Sequence, residues 1–397
     1  DDEADIPIAV QAIGNFKRMY EIIENKNDTA LVKEIFEKVF IEAYGAMPNQ
    51  ADSYYDYAEA FSRTLVYTGL FSLSGRSIAT KIRVAKHSKT KVKLLQDKYE
   101  FYFPCEISSL DEYMQWYGSC HTTVLPWEKV DERRSIISDK AALLIEKMQE
   151  ATEDYQNRAD ISLEEIQTIV ENANASSDVN DLKDFENILS DAIITHNEEY
   201  FIKVLSKTQE ERKNILNKFN DILSNDDMSA LWLEVNTWKS LIAIKGNHKV
   251  KRNFKIEDDL TPKSFAPGVG NTPDMELYQD DFMVIPEVSL MTGVRQWEHE
   301  ASSVIDHVLS FINDNKEKQV IGLFLSSRIN VRTFWQFFVL NRESWMGAPV
   351  PVVPLTIEQY MDVISFMYDN CKHINDFIQL LKKIADNAMV CETYTAW

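Results

Sequence analysis

The sequence predicts a multidomain protein that joins mainly helical regions to a C-terminal α/β domain with a mixed sheet. Its 397 residues are enough for two or three domains with cores of their own. Residues 130–224 show only helical patterning, whereas helical and strand patterns alternate from residue 228 onward. Such alternation is typical of an α/β domain. We therefore divide the chain into residues 1–125, 126–225 and 226–397.

The first 125 residues are predicted to be helical up to a short hairpin. Apolar residues recur at helical spacing in AVQAIGNFKRMYEIIEN, ALVKEIFEKVFIEAYG and ADSYYDYAEAFSRTLVYTG. In the following LFSLSGRSIATKIRV, two strand-like runs flank Ser-Gly-Arg, which favours a hairpin. Three helices followed by a hairpin is the order of a winged helix, a DNA-docking module. A small helical domain with an incidental hairpin is the alternative.

The net charge of −21 argues against a nucleic-acid partner when it is taken for the whole chain. The acidic residues are concentrated between about 145 and 200, so we interpret residues 126–225 as an acidic helical linker with a solvated surface. Basic residues collect on either side of it, in GRSIATKIRVAKHSKTKVK and KGNHKVKRNFK. The residues predicted to contact DNA phosphates are Lys245, Lys249, Lys251, Arg252, Arg76, Lys81 and Arg83.

The cysteines and the N-terminal sequence indicate the cellular compartment in which we expect the protein. Cys120-His121 and Cys371-x-His373 resemble halves of zinc sites, but neither has a Cys-x-x-Cys partner, so buried free thiols are the favoured interpretation. Free thiols suit a reducing compartment. No apolar run reaches the roughly 18 residues of a membrane span, and DDEADIPIAV is not a signal peptide. We predict a cytoplasmic protein without a membrane partner, and we expect further sequence before Asp1.

The C-terminal region contains two carboxylates in unusual places. Its predicted element order is α, β, β, β, α, β, α, β, α, α, and the strands DMELYQ and DFMVIPEVSL are joined by Asp280-Asp281. Glu287 interrupts the second strand, where an unpaired buried carboxylate would be costly. Pairing of the strands could bring Glu287 to Asp274. With the Val288 carbonyl, the two carboxylates form an oxygen donor set that suits Mg²⁺, and Mn²⁺ is an expected substitute.

Further polar residues fall near this predicted site. Gln296, Glu300 and His307 share one face if the segment RQWEHEASSVIDH is a regular helix. Glu234 lies in an otherwise apolar helix, where it could compensate the helix terminus or support a metal. This arrangement favours metal-assisted hydrolysis of a phosphodiester, with Glu300 orienting the water and His307 as a candidate proton carrier.

These residues carry a resemblance to a known family. A Pro-Asp pair at Asp274, followed thirteen positions later by Glu287 in E-V-S, resembles the PD-(D/E)XK nuclease motif with Ser289 in place of the lysine. The block GNTPDMELYQDDFMVIPEVSLMTGVRQWEHEASSVIDH, with LFLSSRINVRTFWQFF and VPVVPLTIEQY after it, is similar to the AlwI-type family of type IIS restriction and nicking endonucleases. In that family Ser or Thr is usual at the position of Ser289.

The resemblance implies a PD-(D/E)XK restriction-endonuclease-like cleavage domain, an α-helical linker and an N-terminal recognition region. It assigns roles to Asp274, Glu287, Glu300 and His307, and more weakly to Glu234. The implied partners are double-stranded DNA, a companion DNA methyltransferase, and either a transient dimer or a second nuclease subunit for double-strand cleavage. Family members usually have more recognition sequence before the part that matches residues 1–125, so we expect this chain to be part of an enzyme.

Two other functions remain open at this point. The chain could be a catalytically inactive DNA-binding or assembly protein that retains a nuclease fold, but that would require damaged metal ligands. It could also be a helical interaction protein with an unrelated α/β domain, which the acidic charge favours and the residue 272–307 block does not.

Overall fold

The computed structural model describes the following residues, which are those discussed below: 29–47, 70–74, 80–84, 91–94, 126–149, 161–224, 228–263, 272–342 and 349–397, with single positions at 23, 55, 62, 109 and 111. The chain divides into two units, Asp1–Glu199 and Tyr200–Trp397. Each unit is described by itself.

The first unit begins with one helix and a small antiparallel sheet. The sheet has the order β1-β3-β2 and consists of β1 (Thr29–Leu31), β2 (Phe71–Ser74) and β3 (Lys81–Val84). Helix α1 (Val32–Tyr44) follows β1 directly. The hairpin of β2 and β3 and the helix α1 confirm two sequence predictions. The sequence does not predict strand β1, because three residues are too few to show a period. The first and third predicted helices lie outside the described residues apart from single positions.

From Val130 to the end of the first unit, the described residues are mainly helical, as predicted. Helices α2 (Val130–Gln149), α3 (Leu163–Ala175) and α4 (Val179–Lys203) supply an apolar core that includes Ile137 and Leu189. A capping box between Ser162 and Glu165 begins α3 and satisfies free N–H groups of its first turn. The predicted helix break is confirmed between α3 and α4.

The second unit is an α/β structure around a five-stranded mixed sheet of order β4-β5-β6-β7-β8. Neighbours are antiparallel from β4 to β6 and parallel from β6 to β8. The strands are β4 (Lys249–Arg252), β5 (Met275–Gln279), β6 (Phe282–Ser289), β7 (Gln319–Ser326) and β8 (Val352–Thr356). The helices are α5 (Gln209–Leu223), α6 (Ser229–Ile242), α7 (Ala301–Asp314), α8 (Val331–Arg342), α9 (Ile357–Asp369) and α10 (Ile374–Val390). The element order predicted from residue 228 onward is confirmed.

The turn between β5 and β6 fixes the register of the two strands. Gln279 pairs with Phe282, so Asp280 and Asp281 form a two-residue turn, as the sequence predicts. Asp280 has a positive φ of 40°, a conformation that Asp tolerates better than most side chains. The Asp280 carboxylate also accepts a hydrogen bond from Gln279 Nε2 at 2.8 Å.

Helix α7 packs closely on one face of the sheet. Met283 and Ile285 of β6 share a buried cluster with Val304 and Val308 of α7. A Cβ at Gly322 of β7 would lie 2.6 Å from Val308 Cγ2, so only glycine allows this approach. Side chains alternate along a strand, and Glu287 therefore projects from the same face as Met283 and Ile285, toward α7.

The chain between β6 and α7 departs from the regular helix that the sequence predicts. Gln296–Glu300 forms a π-helix, in which the Ala301 N–H donates to the carbonyl of Gln296. Short π segments are rare and occur frequently at functional sites. The extra residue in this turn changes the direction in which Gln296 points relative to Glu300 and His307.

Among the residues that the structure describes, no helix combines the length and the apolar character needed to cross a membrane.

Candidate active site

The hairpin of β5 and β6 brings Asp274 and Glu287 together at the end of the sheet opposite the Asp280-Asp281 turn. Continuing the register from the Leu277–Val284 pair places Asp274 opposite Glu287. The Val288 N–H donates to Asp274 Oδ2 at 2.9 Å. On the other side, the Asn253 N–H donates to the Asp274 carbonyl at 2.9 Å. Asp274 is therefore held between β4 and β6.

Glu287 is buried, with 8% of its surface exposed, and has a specific partner. Its Oε1 lies 2.5 Å from Nδ1 of His307 on α7. This bond raises the pKa of His307, although burial acts in the opposite direction. The contact leaves the second oxygen of Glu287 available to another ligand.

Two further carboxylates lie near this pair. Glu300, at the end of the π-helix, has a hydrogen bond with the side chain of Ser289. Glu234 lies on α6 between the fully buried Leu233 and Val235, and its charge acts on Asp274 and Glu287. The structure thus collects all five residues predicted to be catalytic at one end of the sheet.

The electrostatics of the site reflect an excess of negative charge. Burial raises the pKa of Asp274 well above its usual value, and the carboxylate of Glu287 adds to this effect. Burial and the Glu287 charge also raise the pKa of Glu234, to about 7, and shift the pKa of Glu300 upward. Carboxylates this close repel one another when ionised. A bound cation would relieve that repulsion.

The donor set fits a hard divalent cation. In an extended strand the N–H and C=O of one residue point to the same side. The Val288 carbonyl therefore faces the Asp274 side, to which its N–H donates. Among the described residues, no group of three His, Cys, Asp or Glu side chains is arranged to hold a metal. Two carboxylates, a main-chain oxygen and water nevertheless suit Mg²⁺, which keeps several waters when bound to proteins.

Gln296 has a different role from the one that a regular helix predicts. It is fully buried. Its Nε2 lies 2.8 Å from the Met291 carbonyl, 3.0 Å from Ser326 Oγ and 2.8 Å from the Arg328 carbonyl. Its Oε1 accepts from the Asn330 N–H at 2.6 Å. Gln296 therefore joins the loops that follow β6 and β7 rather than facing the carboxylates.

Replacing Gln296 with Leu is expected to lower the free energy of unfolding by roughly 1–3 kcal/mol, because buried polar groups would be left without a partner. Denaturant unfolding of the full chain measures the change. Gln379→Leu is the control, since Gln379 is exposed on α10 and its replacement leaves no buried group unpaired. Equal stability of Gln296→Leu and the wild type would contradict this role.

The residues predicted to contact DNA lie in several different places. Lys245 and Lys249 are exposed, but Lys249 pairs with Tyr278 near the turn, roughly 13 Å along the strand from Asp274. Lys251 donates to the buried Glu276 at 2.7 Å, and Arg252 donates to the Phe254 carbonyl at 2.7 Å.

Lys251 contacts Glu276 because the buried carboxylate of Glu276 requires hydrogen-bond donors. Burial alone would raise its pKa, but hydrogen bonds from Lys251, Tyr278 and Asn253 lower it below the usual value. Lys251 thus stabilises a buried charge.

The other predicted contacts belong to the first unit. Lys81 and Arg83 lie on the outer face of β3, because Ile82 and Val84 occupy its buried face. Arg76 lies outside the described residues.

The cysteine pairs show no zinc site within the described part of the chain. Cys371 is exposed, and His373 caps α10 by accepting from the Asn375 N–H at 3.3 Å. Cys120 and His121 lie outside the described residues.

Comparison with known proteins places the chain in a family. No curated protein matches it. One similar solved structure is the small subunit of the heterodimeric restriction endonuclease R.BspD6I, at 21% identity and a TM-score of 0.37. The alignment covers 44% of this chain and 93% of that one, and a similarity this low supports no argument about function. Residues 2–363, however, match the family described as AlwI restriction endonuclease. Since the match spans most of the chain, the protein belongs to the AlwI restriction endonuclease family, a family of site-specific DNA endonucleases.

Proposed function

We propose that this chain hydrolyses DNA phosphodiester bonds by Mg²⁺-assisted attack of water, and that it cuts or nicks outside an asymmetric recognition site. The observation that supports the chemistry most strongly is the placement of Asp274 and Glu287 opposite each other on adjacent strands, with Glu300 and Glu234 beside them. This arrangement is that expected of a PD-(D/E)XK site.

In this mechanism the side chains have separate tasks. Asp274, Glu287 and the Val288 carbonyl would hold the cation, which when bound would supply charge neutralisation at the phosphate and a lower pKa for the attacking water. His307 fixes the orientation of Glu287 through its Nδ1 contact. Glu300, positioned by Ser289, orients the attacking water and accepts its proton, for which its raised pKa makes it a better base than an ordinary glutamate.

His307→Gln is expected to raise the Mg²⁺ concentration needed for half-maximal cleavage by roughly 10–100-fold, since partners of metal ligands have effects of that size. The reason is that Glu287 no longer has the imidazole that orients it. A Mg²⁺ titration of the cleavage rate measures the shift. His299→Gln serves as the control, because His299 is exposed and lies about two helical turns before His307. An unchanged Mg²⁺ dependence in His307→Gln would exclude this role.

The rest of the proposal concerns recognition and location. The β2–β3 hairpin and helix α1 support a winged-helix-like recognition region within residues 1–125, and the acidic helices support a linker. The linker boundary near residue 225, a cytoplasmic location, a companion methyltransferase and a second nuclease subunit or transient dimer remain predictions. The family match supports double-stranded DNA as the partner.

Incubation of the full chain with plasmid DNA tests the function. With Mg²⁺ or Mn²⁺ we expect discrete linear or nicked products, and mapping of the product ends should give a constant offset from one asymmetric sequence. With Ca²⁺ we expect binding without cleavage. An inactive assembly protein would produce no cleavage on any plasmid.

A further inference from the structure

We propose that Arg295, Arg328 and Arg332 form a phosphate-binding surface that holds the DNA backbone beside the active-site carboxylates. No sequence pattern singled out these residues. The proposal rests on the proposed nuclease function, because it assigns the partner of that same site. It names double-stranded DNA as the occupant of this surface, which we call the arginine surface.

The arginine surface lies where the parallel strands end. Ser289 of β6 pairs with Ser326 of β7, so the two strands end side by side. Arg295 lies in the segment after β6, immediately before the π-helix, and Arg328 lies in the loop after β7. Since Ser289 also contacts Glu300, the arginine surface is adjacent to the proposed site of chemistry.

Gln296 fixes the three arginines relative to one another. It follows Arg295 directly and donates to the Arg328 carbonyl at 2.8 Å. It also accepts from the Asn330 N–H, and the Asn330 side chain accepts from the Arg332 N–H at 2.9 Å. The buried amide of Gln296 and the side chain of Asn330 therefore together connect the backbone at all three positions.

The guanidinium groups are free to bind an anion. All three arginines are exposed. Within the described part of the chain, none of them has an ion-pair partner. Arg332 lies over the ring of Trp297, with Cζ 5.1 Å from the ring centroid. Stacking of this kind orders the side chain while its N–H edges remain available to phosphate oxygens.

The negative charge of the active site explains why DNA binding there would require a positively charged surface. The phosphates of DNA approach a site that already contains the carboxylates of Asp274, Glu287, Glu234 and Glu300, and like charges repel. Two other basic side chains at this end of β4 have partners within the protein, because Lys251 pairs with Glu276 and Arg252 donates to the Phe254 carbonyl. Arg295, Arg328 and Arg332 supply positive charge that no acidic side chain of the described residues neutralises.

A second copy of this acidic chain is the competing occupant. Val294, Val331 and Trp335 are exposed beside the arginines, with 57%, 58% and 54% of their surfaces accessible. The arginines favour DNA as the occupant, because their guanidinium groups lie next to the reaction site and have no ion-pair partner within the described part of the chain.

The test compares two triple variants in an Asp274→Asn background, so that the DNA stays intact. The first is Arg295→Ala/Arg328→Ala/Arg332→Ala. The control is Lys316→Ala/Lys372→Ala/Lys383→Ala, which removes the same charge from exposed positions near the opposite end of the sheet. Binding to a short random-sequence duplex in Ca²⁺ is measured over a range of salt concentrations. A third variant with lysine at all three arginine positions retains the charge.

The arginine-to-alanine variant should lower affinity by at least about tenfold. It should also reduce the slope of log K against log salt by roughly 0.9 for each phosphate that an arginine neutralises, about 2.7 for all three. The control and the lysine variant should keep the wild-type slope. An unchanged slope in the alanine variant would overturn the proposal, as would a change in oligomeric state without a change in DNA binding. Failure of the nuclease function is distinguishable, because it would appear as absence of Mg²⁺-dependent cleavage by the wild type.

Discussion

Asp274→Asn and Glu287→Gln are each expected to reduce the rate of DNA cleavage by at least about 100-fold, because metal-ion stabilisation of the transition state is worth several kcal/mol. Each substitution removes one anionic oxygen ligand and leaves the shape of the side chain almost unchanged. Binding of DNA in Ca²⁺ should persist in both variants if the phosphate contacts lie elsewhere. Single-turnover cleavage of a plasmid with saturating enzyme measures the rate.

The same hairpin provides a matched control for this experiment. Asp280→Asn and Asp281→Asn make the same chemical change at the turn, at the opposite end of β5 and β6. Asn tolerates the positive φ of Asp280, so the turn should be preserved. Cleavage by the two turn variants should match the wild type. Undiminished cleavage by Asp274→Asn would show that the chemistry takes place at another site.

Glu234→Gln is expected to stabilise the metal-free protein at pH 8 by up to about 3 kcal/mol and to leave its stability at pH 4 unchanged. The pKa of Glu234 rises from its ordinary value of 4.5 to about 7 on folding, through burial and the charge of Glu287. A carboxyl group with a raised pKa favours folding while it is protonated. That contribution is complete below pH 4.5 and is lost as the pH rises through about 7. Glutamine cannot ionise and therefore retains it.

Chemical denaturation at several pH values, with EDTA or with Mg²⁺, measures this difference. Mg²⁺ should stabilise the wild type at pH 8 and reduce the advantage of Glu234→Gln, because a bound cation offsets the carboxylate repulsion. Glu298→Gln is the control, since Glu298 is exposed next to the site. A constant difference between Glu234→Gln and the wild type at all pH values would contradict the account of the site's electrostatics.

Two residues of the candidate site, Glu287 and Glu234, could be singled out from the sequence because each interrupts an apolar element. Glu287 interrupts an apolar strand, and Glu234 interrupts an apolar helix. The turn Asp280-Asp281 sets a register, and that register determines that Asp274 and Glu287 meet. The hydrophobic pattern and the position of a turn depend on a few neighbouring residues. They can therefore be recognised in the sequence without knowledge of the tertiary structure.

The features that sequence patterns did not predict depend on tertiary contacts. The π-helix at Gln296–Glu300 accompanies hydrogen bonds from Gln296 to loops more than thirty residues away, which no local period reports. Local patterns did not predict the arginine surface either, because its three arginines are separated in sequence and do not belong to a basic run. Lys251 lies in such a run, yet its charge stabilises the buried Glu276.

Binding of Mn²⁺ to the full chain, followed by electron paramagnetic resonance, tests most directly the claim that Asp274 and Glu287 together hold a divalent cation. The wild type should bind Mn²⁺, Mg²⁺ should compete for it, and Asp274→Asn/Glu287→Gln should bind far more weakly while remaining folded. Asp280→Asn/Asp281→Asn should bind as the wild type does. Equal affinity and stoichiometry in the wild type and in Asp274→Asn/Glu287→Gln would contradict the account.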